Sequence, residues 1–144
     1  MNRSGLYPRV QADARGSGVV SQAGGVALVD TIRVAGLDRV LSAALAPWRK
    51  PLAIHDPGKV ISDLAVALAL GGDCLADIAL LRAEPGVFGL VASDPTVSRT
   101  IDTLAADVPR ALVAIDASRA AARAQVWRSP ASMRPITASM RIGR

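Results

Sequence analysis

Residues 55–73 read HDPGKVISDLAVALALGGD and contain both a start signal and a stop signal for a helix. Asp56 is a good N-cap because its side-chain oxygen accepts an N–H of the first turn, and Pro57 suits the first helical position. Gly71 and Gly72 end the helix, since glycine adopts the left-handed conformation without steric cost. Residues 64–70 are apolar at every position. We therefore predict a central helix that is buried on most sides.

Composition agrees with a small helical domain. The chain has 144 residues, 51% of them hydrophobic but only 3% aromatic, and a core of small aliphatic side chains suits closely packed helices. The apolar run is shorter than the roughly 20 residues that span a membrane, and no signal peptide precedes it. One cysteine excludes an internal disulfide and a Cys-based zinc site. We expect a soluble, cytoplasmic protein.

The net charge of +5 lies entirely at the C-terminal end. Residues 1–115 contain 11 Lys and Arg and 11 Asp and Glu, whereas residues 116–144 contain six Arg and one Asp. The charge therefore does not by itself make the core a DNA-binding domain.

The flanking segments complete an all-α prediction of about six helices in a bundle. The spacing of apolar residues and the helix-breaking residues predict helices over 25–35, 39–46, 57–70, 74–82, 95–106 and 108–127, with a loop at 87–92 in which Phe88 fills the core. We expect residues 1–22 to form an N-terminal arm or a weak β-hairpin, 23–128 to form the helical domain, and 129–144, rich in Ser, Arg and Pro, to form a disordered basic tail.

Most carboxylates are explained as helix caps. The acidic residues that directly precede predicted helices are Asp38, Asp56, Asp73, Asp94 and Asp107. Asp63 and Asp77 are flanked by apolar residues and are expected to face outward. His55 beside Asp56 has the pattern of an oriented base, but without a nucleophile we interpret it as a loop histidine. Cys74 is interpreted as a small buried thiol. We predict no catalytic, metal-binding or cofactor-binding residue.

The segment SDPTVSRTIDTLA at 93–105 has a different character. Val97, Ile101, Leu104 and Ala105 fall on one helical face, and polar residues occupy the other. Short hydroxyl side chains and an Arg near a helix N-terminus suit a helix in a DNA groove. The candidate DNA contacts on this helix are Thr96, Ser98, Arg99, Thr100 and Thr103. An ordinary amphipathic surface helix has the same pattern, and the connection 83–94 is longer than a compact helix-turn-helix allows.

The last predicted helix supplies two further candidates, Arg119 and Arg123, which are one turn apart and suited to contact phosphates. Asp116 lies within reach of Arg119 and would partly neutralise it. A solvated helical face remains the alternative.

Three strings, HDPGKV at 55–60, LGGDCLADIALLR at 70–82 and SDPTVSR at 93–99, resemble the N-terminal region of DDE-class insertion-sequence transposases of GC-rich bacteria. The resemblance covers roughly residues 18–128. It implies a helical, helix-turn-helix-like region that recognises terminal inverted repeats and assembles transposase on DNA. In such relatives a separate domain holds divalent ions such as Mg²⁺ with three acidic residues.

Relatives continue after Trp127-Arg128 into an acidic catalytic motif, whereas this chain continues into SPASMRP. The resemblance therefore predicts a truncated or frameshifted transposase that lacks the catalytic DDE domain, needs no cofactor, and is not an enzyme. The expected partners are DNA at transposon ends and a second copy or an intact transposase, with no membrane and with localisation at the nucleoid. Two alternatives stay open: a helical protein-interaction module, and a pseudogene product without function.

Overall fold

The computed structural model describes residues 6–8 and 23–128, and within them it is all-α, as predicted. These ranges contain seven helices, one more than the sequence suggested: α1 (Ala23–Val34), α2 (Leu37–Leu45), α3 (Pro57–Ala69), α4 (Ile78–Arg82), α5 (Pro85–Phe88), α6 (Asp94–Ala105) and α7 (Val108–Arg128). The additional helix is α5, which lies partly in the predicted loop. Two short 3₁₀ turns, Ala46–Trp48 and Leu75–Asp77, complete the elements.

Helix α3 begins and ends where the sequence predicted. Asp56 Oδ1 accepts the N–H of Lys59 at 3.0 Å, and Pro57 occupies the first helical position. Gly71 has a φ of 96°, the left-handed conformation that ends the helix. The prediction that the central helix is buried on most sides is confirmed for residues 57–63, all of which are buried except the half-buried Ile61. It is wrong for the C-terminal half of α3, where Ala65, Leu68 and Ala69 are exposed.

Two hydrophobic clusters surround α3. The larger one centres on Phe88, which is fully buried as predicted and packs with side chains from the N-terminal segment and four other helices: Tyr7, Val29, Val60, Val66, Ile78, Leu81 and Val97. The smaller cluster joins α2, α6 and α7 through Leu41, Leu45, Leu104 and Ala111. Helix α3 thus lies between the two parts of the core.

Helices α3 and α2 cross closely at Gly58. A Cβ atom at this position would lie 2.5 Å from the backbone nitrogen of Ser42 and 2.7 Å from the carbonyl carbon of Leu41. Such distances are far below van der Waals contact, so the absence of a side chain at Gly58 permits the crossing. The crossing fixes the position of α3 relative to α2.

Three predicted caps prove wrong. Asp38 is buried and lies inside the first turn of α2, two residues after Gly36, which occupies the cap position. Asp94 is the first residue of α6, where its carboxylate forms an ion pair with Arg82 at 2.8 Å, and Ser93 occupies the cap position. Asp73 does not cap a helix either. Instead, Asp77 Oδ2 accepts the backbone N–H of Asp73 at 2.8 Å and the backbone N–H of Cys74 at 3.0 Å. Asp94 and Asp77 thus form other contacts in place of the expected caps, whereas Asp38 Oδ1 is buried without a hydrogen-bond partner among the described residues.

The region after α3 also differs from the prediction. The expected helix over 74–82 is divided into the 3₁₀ turn and α4, because the Asp77 carboxylate folds back onto the preceding backbone. The backbone hydrogen bonds lower the pKa of Asp77. Cys74 is exposed, so its interpretation as a buried thiol is wrong.

The predicted N-terminal hairpin, apart from residues 6–8, and the predicted tail at 129–144 lie outside the described residues. None of the helices in the described part of the chain is long and apolar enough to cross a membrane.

Candidate nucleic-acid interface

Helix α6 is fixed by two buried side chains, Val97 and Leu104. The predicted apolar face is narrower than expected, because Ile101 is 36% exposed and Ala105 is exposed. The polar face is directed to the surface. Of its predicted contacts, Arg99 and Ser98 are exposed and Thr96, Thr100 and Thr103 are half-buried.

The hydroxyl groups of α6 are bonded within the helix. Thr100 Oγ1 donates to the carbonyl of Thr96 at 2.8 Å, and Thr103 Oγ1 donates to the carbonyl of Arg99 at 2.7 Å. A hydroxyl has one proton to donate and two lone pairs that accept. In this arrangement Thr100 and Thr103 therefore offer acceptors to a ligand. A phosphate oxygen needs a donor, so the hydroxyl would have to rotate to bind it. An amino group of a base is a donor, so the hydroxyl could accept from it without rotating.

A loop that the sequence did not connect with α6 closes over its polar face. Residues 48–57 and α6 line an open cavity of about 330 Å³, here called the α6 groove. Its lining residues are Trp48, Arg49, Lys50, Leu52, Ala53, Ile54, His55, Pro57, Thr96, Arg99, Thr100 and Thr103. Four of the five predicted contacts on α6 are thus brought together, and Ser98 lies outside the groove.

The loop is held by a hydrogen bond within itself and by an ion pair with Asp56, the residue directly before α3. Arg49 Nη2 donates to the carbonyl of Ala53 at 3.0 Å, and Arg49 Nη1 lies 3.7 Å from Asp56 Oδ2. The same oxygen accepts the hydroxyl proton of Ser42 at 2.8 Å. Because Asp56 also caps α3, one carboxylate positions both the helix start and the loop. The groove therefore has a fixed rim.

The groove is positively charged. Among the described residues, no carboxylate lies within ion-pair distance of Lys50 or Arg99, whereas Arg49 shares its charge with Asp56. Arg99 Nη2 donates to Thr96 Oγ1 at 3.0 Å, which directs the guanidinium along the helix surface. Partial burial, and then the nearby Lys59 charge, lower the pKa of His55, which favours its neutral form. Lys50 and Arg99 thus carry most of the uncompensated charge.

Sequence reasoning missed Arg49 and Lys50. The available signal was a pair of consecutive basic residues in a loop bounded by Pro47 and Pro57. Nothing in the local sequence shows that this loop packs against a helix some forty residues later.

Arg119 and Arg123 do not join the α6 groove. They line a separate, apolar depression of about 440 Å³ on α7, with Ala35, Leu37, Ala122, Val126 and Trp127. Arg119 pairs with Asp116 at 3.1 Å, as the spacing suggested. The two predicted sets of contacts therefore belong to two different surfaces.

A buried polar cluster lies elsewhere, around Asp63, and the prediction that Asp63 faces outward is wrong. Asp63 accepts from Lys59 Nζ at 2.7 Å and from the Tyr7 hydroxyl at 2.9 Å. The ammonium also lies 4.2 Å from the centre of the Tyr7 ring. Burial raises the pKa of Asp63 and lowers the pKa of Lys59, against their mutual attraction. With all three side chains buried, this cluster fastens the N-terminal segment to α3 and is closed to a macromolecular ligand.

A family model described as "Transposase DDE domain group 1" matches residues 2–134. The chain belongs to this transposase family. Membership indicates DNA as the general kind of partner. Comparisons with curated proteins and with solved structures found no match.

The family match corrects one expectation. The change of sequence after Trp127-Arg128 predicted that the catalytic DDE domain is absent and that the chain is not an enzyme. The model that matches residues 2–134 is a model of the transposase DDE domain itself. The finding points to the catalytic domain being present in this chain. The earlier expectation depended on one motif, whereas the family match extends over most of the chain.

The family implies Mg²⁺, an ion that prefers oxygen ligands. In residues 23–128 one group of three ligand-type side chains has its ligand atoms within 4.8 Å of one another: Asp73, Cys74 and Asp77. One member is a thiol, a soft ligand unsuited to Mg²⁺, and Asp77 Oδ2 already accepts two backbone N–H groups. These residues do not fit a Mg²⁺ site, and we assign no metal-dependent step to them.

Proposed function

We propose that this transposase-family chain binds DNA through the α6 groove, and that its specific target is the terminal inverted repeats of a transposable element. The observation that carries the proposal is the pair of uncompensated cations, Lys50 and Arg99, on opposite sides of a concave surface lined with hydroxyl groups. Family membership supplies DNA as the kind of partner. In this proposal α6 is the recognition helix of a helix-turn-helix-like region.

The groove residues have separable roles in this proposal. Lys50 is a flexible point charge and suits a phosphate. Arg99 has a planar fork of donors that matches either a phosphate or the O6 and N7 atoms of guanine. Thr100 and Thr103 present lone pairs that accept from the amino groups of adenine or cytosine. Phosphate contacts would fix the position of α6, and base contacts would select the sequence.

Fluorescence anisotropy with labelled duplexes tests this proposal. One duplex carries the terminal repeats of the element and the other a scrambled sequence, and each titration is repeated over a range of salt concentrations. Lys50→Ala should weaken binding equally for both duplexes and reduce the slope of log K against log salt by about 1. Arg99→Ala should weaken binding about 5- to 150-fold, and more strongly for the specific duplex if Arg99 contacts a base.

Arg39→Ala is the matched control, since Arg39 is an exposed arginine on α2 that does not line the groove. It should leave affinity within about twofold of the unaltered chain, as distant surface changes usually do. Binding that is independent of salt, or equal losses from Arg39→Ala and Arg99→Ala, would contradict the α6 groove as the DNA site.

The predicted contacts on α7, Arg119 and Arg123, are tested one at a time in the same assay. Arg119→Ala and Arg123→Ala alter binding only if DNA also reaches the α7 surface, because neither residue lines the α6 groove. Assembly with a second transposase chain and localisation at the nucleoid are further parts of this proposal. Both follow from a role at transposon ends.

A further inference from the structure

The rim of the α6 groove has an unusual tip. Leu52 is 101% exposed and is the one residue other than glycine in the described chain with a positive φ, 64°. Ile54, two residues later, is 78% exposed. A leucine gains nothing in stability from full exposure, and the left-handed backbone conformation disfavours any side chain with a Cβ. Both properties concern one residue at one edge of the proposed DNA site.

The tip is a defined turn. The N–H of Ala53 donates to the carbonyl of Lys50 at 3.1 Å, which closes a four-residue turn with Pro51 and Leu52 in the centre. Proline at the second position and a positive φ at the third are the features of a type II turn, in which the third position is normally glycine. The Arg49 hydrogen bond to the Ala53 carbonyl fastens the turn from below. Leu52 is therefore projected from a rigid support.

The charges around the tip point to one kind of ligand. Arg49 directly precedes the turn, Lys50 is its first residue, and Arg99 lines the same groove from α6. An exposed apolar side chain next to cations matches proteins that contact the phosphates and insert an apolar wedge into a base step from the minor groove. An apolar protein partner would not require the cations.

We propose that Leu52 is such a wedge: it inserts between two base pairs at the edge of the α6 groove, partly unstacks them and bends the duplex. This inference rests on the proposed function and specifies how the groove binds DNA. Ile54 then contacts the sugars next to the opened step. Pyrimidine–purine steps such as TA unstack most easily, so a site with TA at the wedge position is favoured over an otherwise identical site with a stiff A-tract.

A duplex labelled at its two ends with a donor and an acceptor dye measures the bend by energy transfer, and anisotropy of the same duplex measures binding. The unaltered chain should bend the duplex by about 20–90°, the range of intercalating side chains. Leu52→Gly should abolish most of the change in energy transfer, remove the preference for TA, and weaken binding by roughly tenfold or less, since the cations remain. Glycine accepts the positive φ, so this variant should fold at least as well as the unaltered chain.

Leu68→Ala is the matched control, because Leu68 is a 63% exposed leucine on α3 that does not line the groove. It should leave both the bend angle and the binding affinity unchanged. If the unaltered chain binds without bending the duplex, or if Leu52→Gly bends it equally, the wedge is refuted and DNA binding stands. If the unaltered chain shows no salt-dependent binding, the proposed function fails and the wedge with it. If Leu52→Gly abolishes self-association in sedimentation while leaving the bend intact, Leu52 is a protein contact and the wedge is refuted.

Discussion

Gly58→Ala tests the close crossing of α2 and α3. The added Cβ would lie 2.5–2.7 Å from three backbone atoms of Leu41 and Ser42. No side-chain rotation relieves a clash with backbone, so the cost is at the upper end of the overpacking range, about 3 kcal/mol. The better helix propensity of alanine offsets up to about 1 kcal/mol. We therefore expect a net loss of about 2 kcal/mol, which lowers the unfolding midpoint by about 4–8 °C.

Thermal and urea unfolding followed by far-ultraviolet circular dichroism measure this loss. Gly86→Ala is the matched control: Gly86 is also helical, in α5, and a Cβ there meets no atom within 4 Å. It should be neutral or stabilise by up to about 1 kcal/mol. Equal stability of the two variants would refute the reasoning, because it would mean that α2 and α3 do not cross with backbones in contact at Gly58.

Three further changes test the core, the buried polar cluster and the helix cap. Phe88→Ala should cost about 3–5 kcal/mol in urea unfolding, whereas exposed Leu90→Ala should cost less than about 0.5 kcal/mol; similar losses would contradict the burial of Phe88. Burial, and then the neighbouring carboxylate, raise the pKa of Tyr7 above its ordinary 10.0, so its contribution is complete below pH 10 and is lost as pH rises further. Tyr7→Phe should therefore lose stability less steeply above pH 10, by about 1.4 kcal/mol per pH unit, and parallel curves would disprove the linkage. Asp56→Ala should cost about 1 kcal/mol through the lost cap, with exposed Asp102→Ala as its neutral control; an unchanged midpoint would argue against the Lys59 N–H contact.

Features that depend on neighbouring residues were predictable from the sequence. The start of α3 requires only Asp56, Pro57 and the N–H of Lys59, all within four positions. The positions of α6 and α7 likewise follow from nearby helix-breaking residues and from the spacing of apolar residues. The amphipathic pattern of α6 also correctly placed its polar residues at the surface, because a helix face is fixed by a short repeat.

Features that depend on distant contacts were not predictable. Asp63 is buried because Tyr7, 56 residues earlier, donates to it and Lys59 neutralises it. Flanking apolar residues carry no information about such a partner. The α6 groove was only half predicted for the same reason: Thr96 and Arg99 are on a recognisable helix, but the loop with Lys50 reaches them through the packing of α3.

The bond between Tyr7 and Asp63 provides an intrinsic optical probe. Tyr7 is the single tyrosine of the chain, so every phenol signal in an ultraviolet spectrum arises from the segment at residues 6–8. Tryptophan absorbance does not change with alkaline pH, whereas an ionised phenol absorbs at longer wavelength. The appearance of phenolate absorbance after a pH jump therefore measures directly how fast this segment leaves α3, without any label.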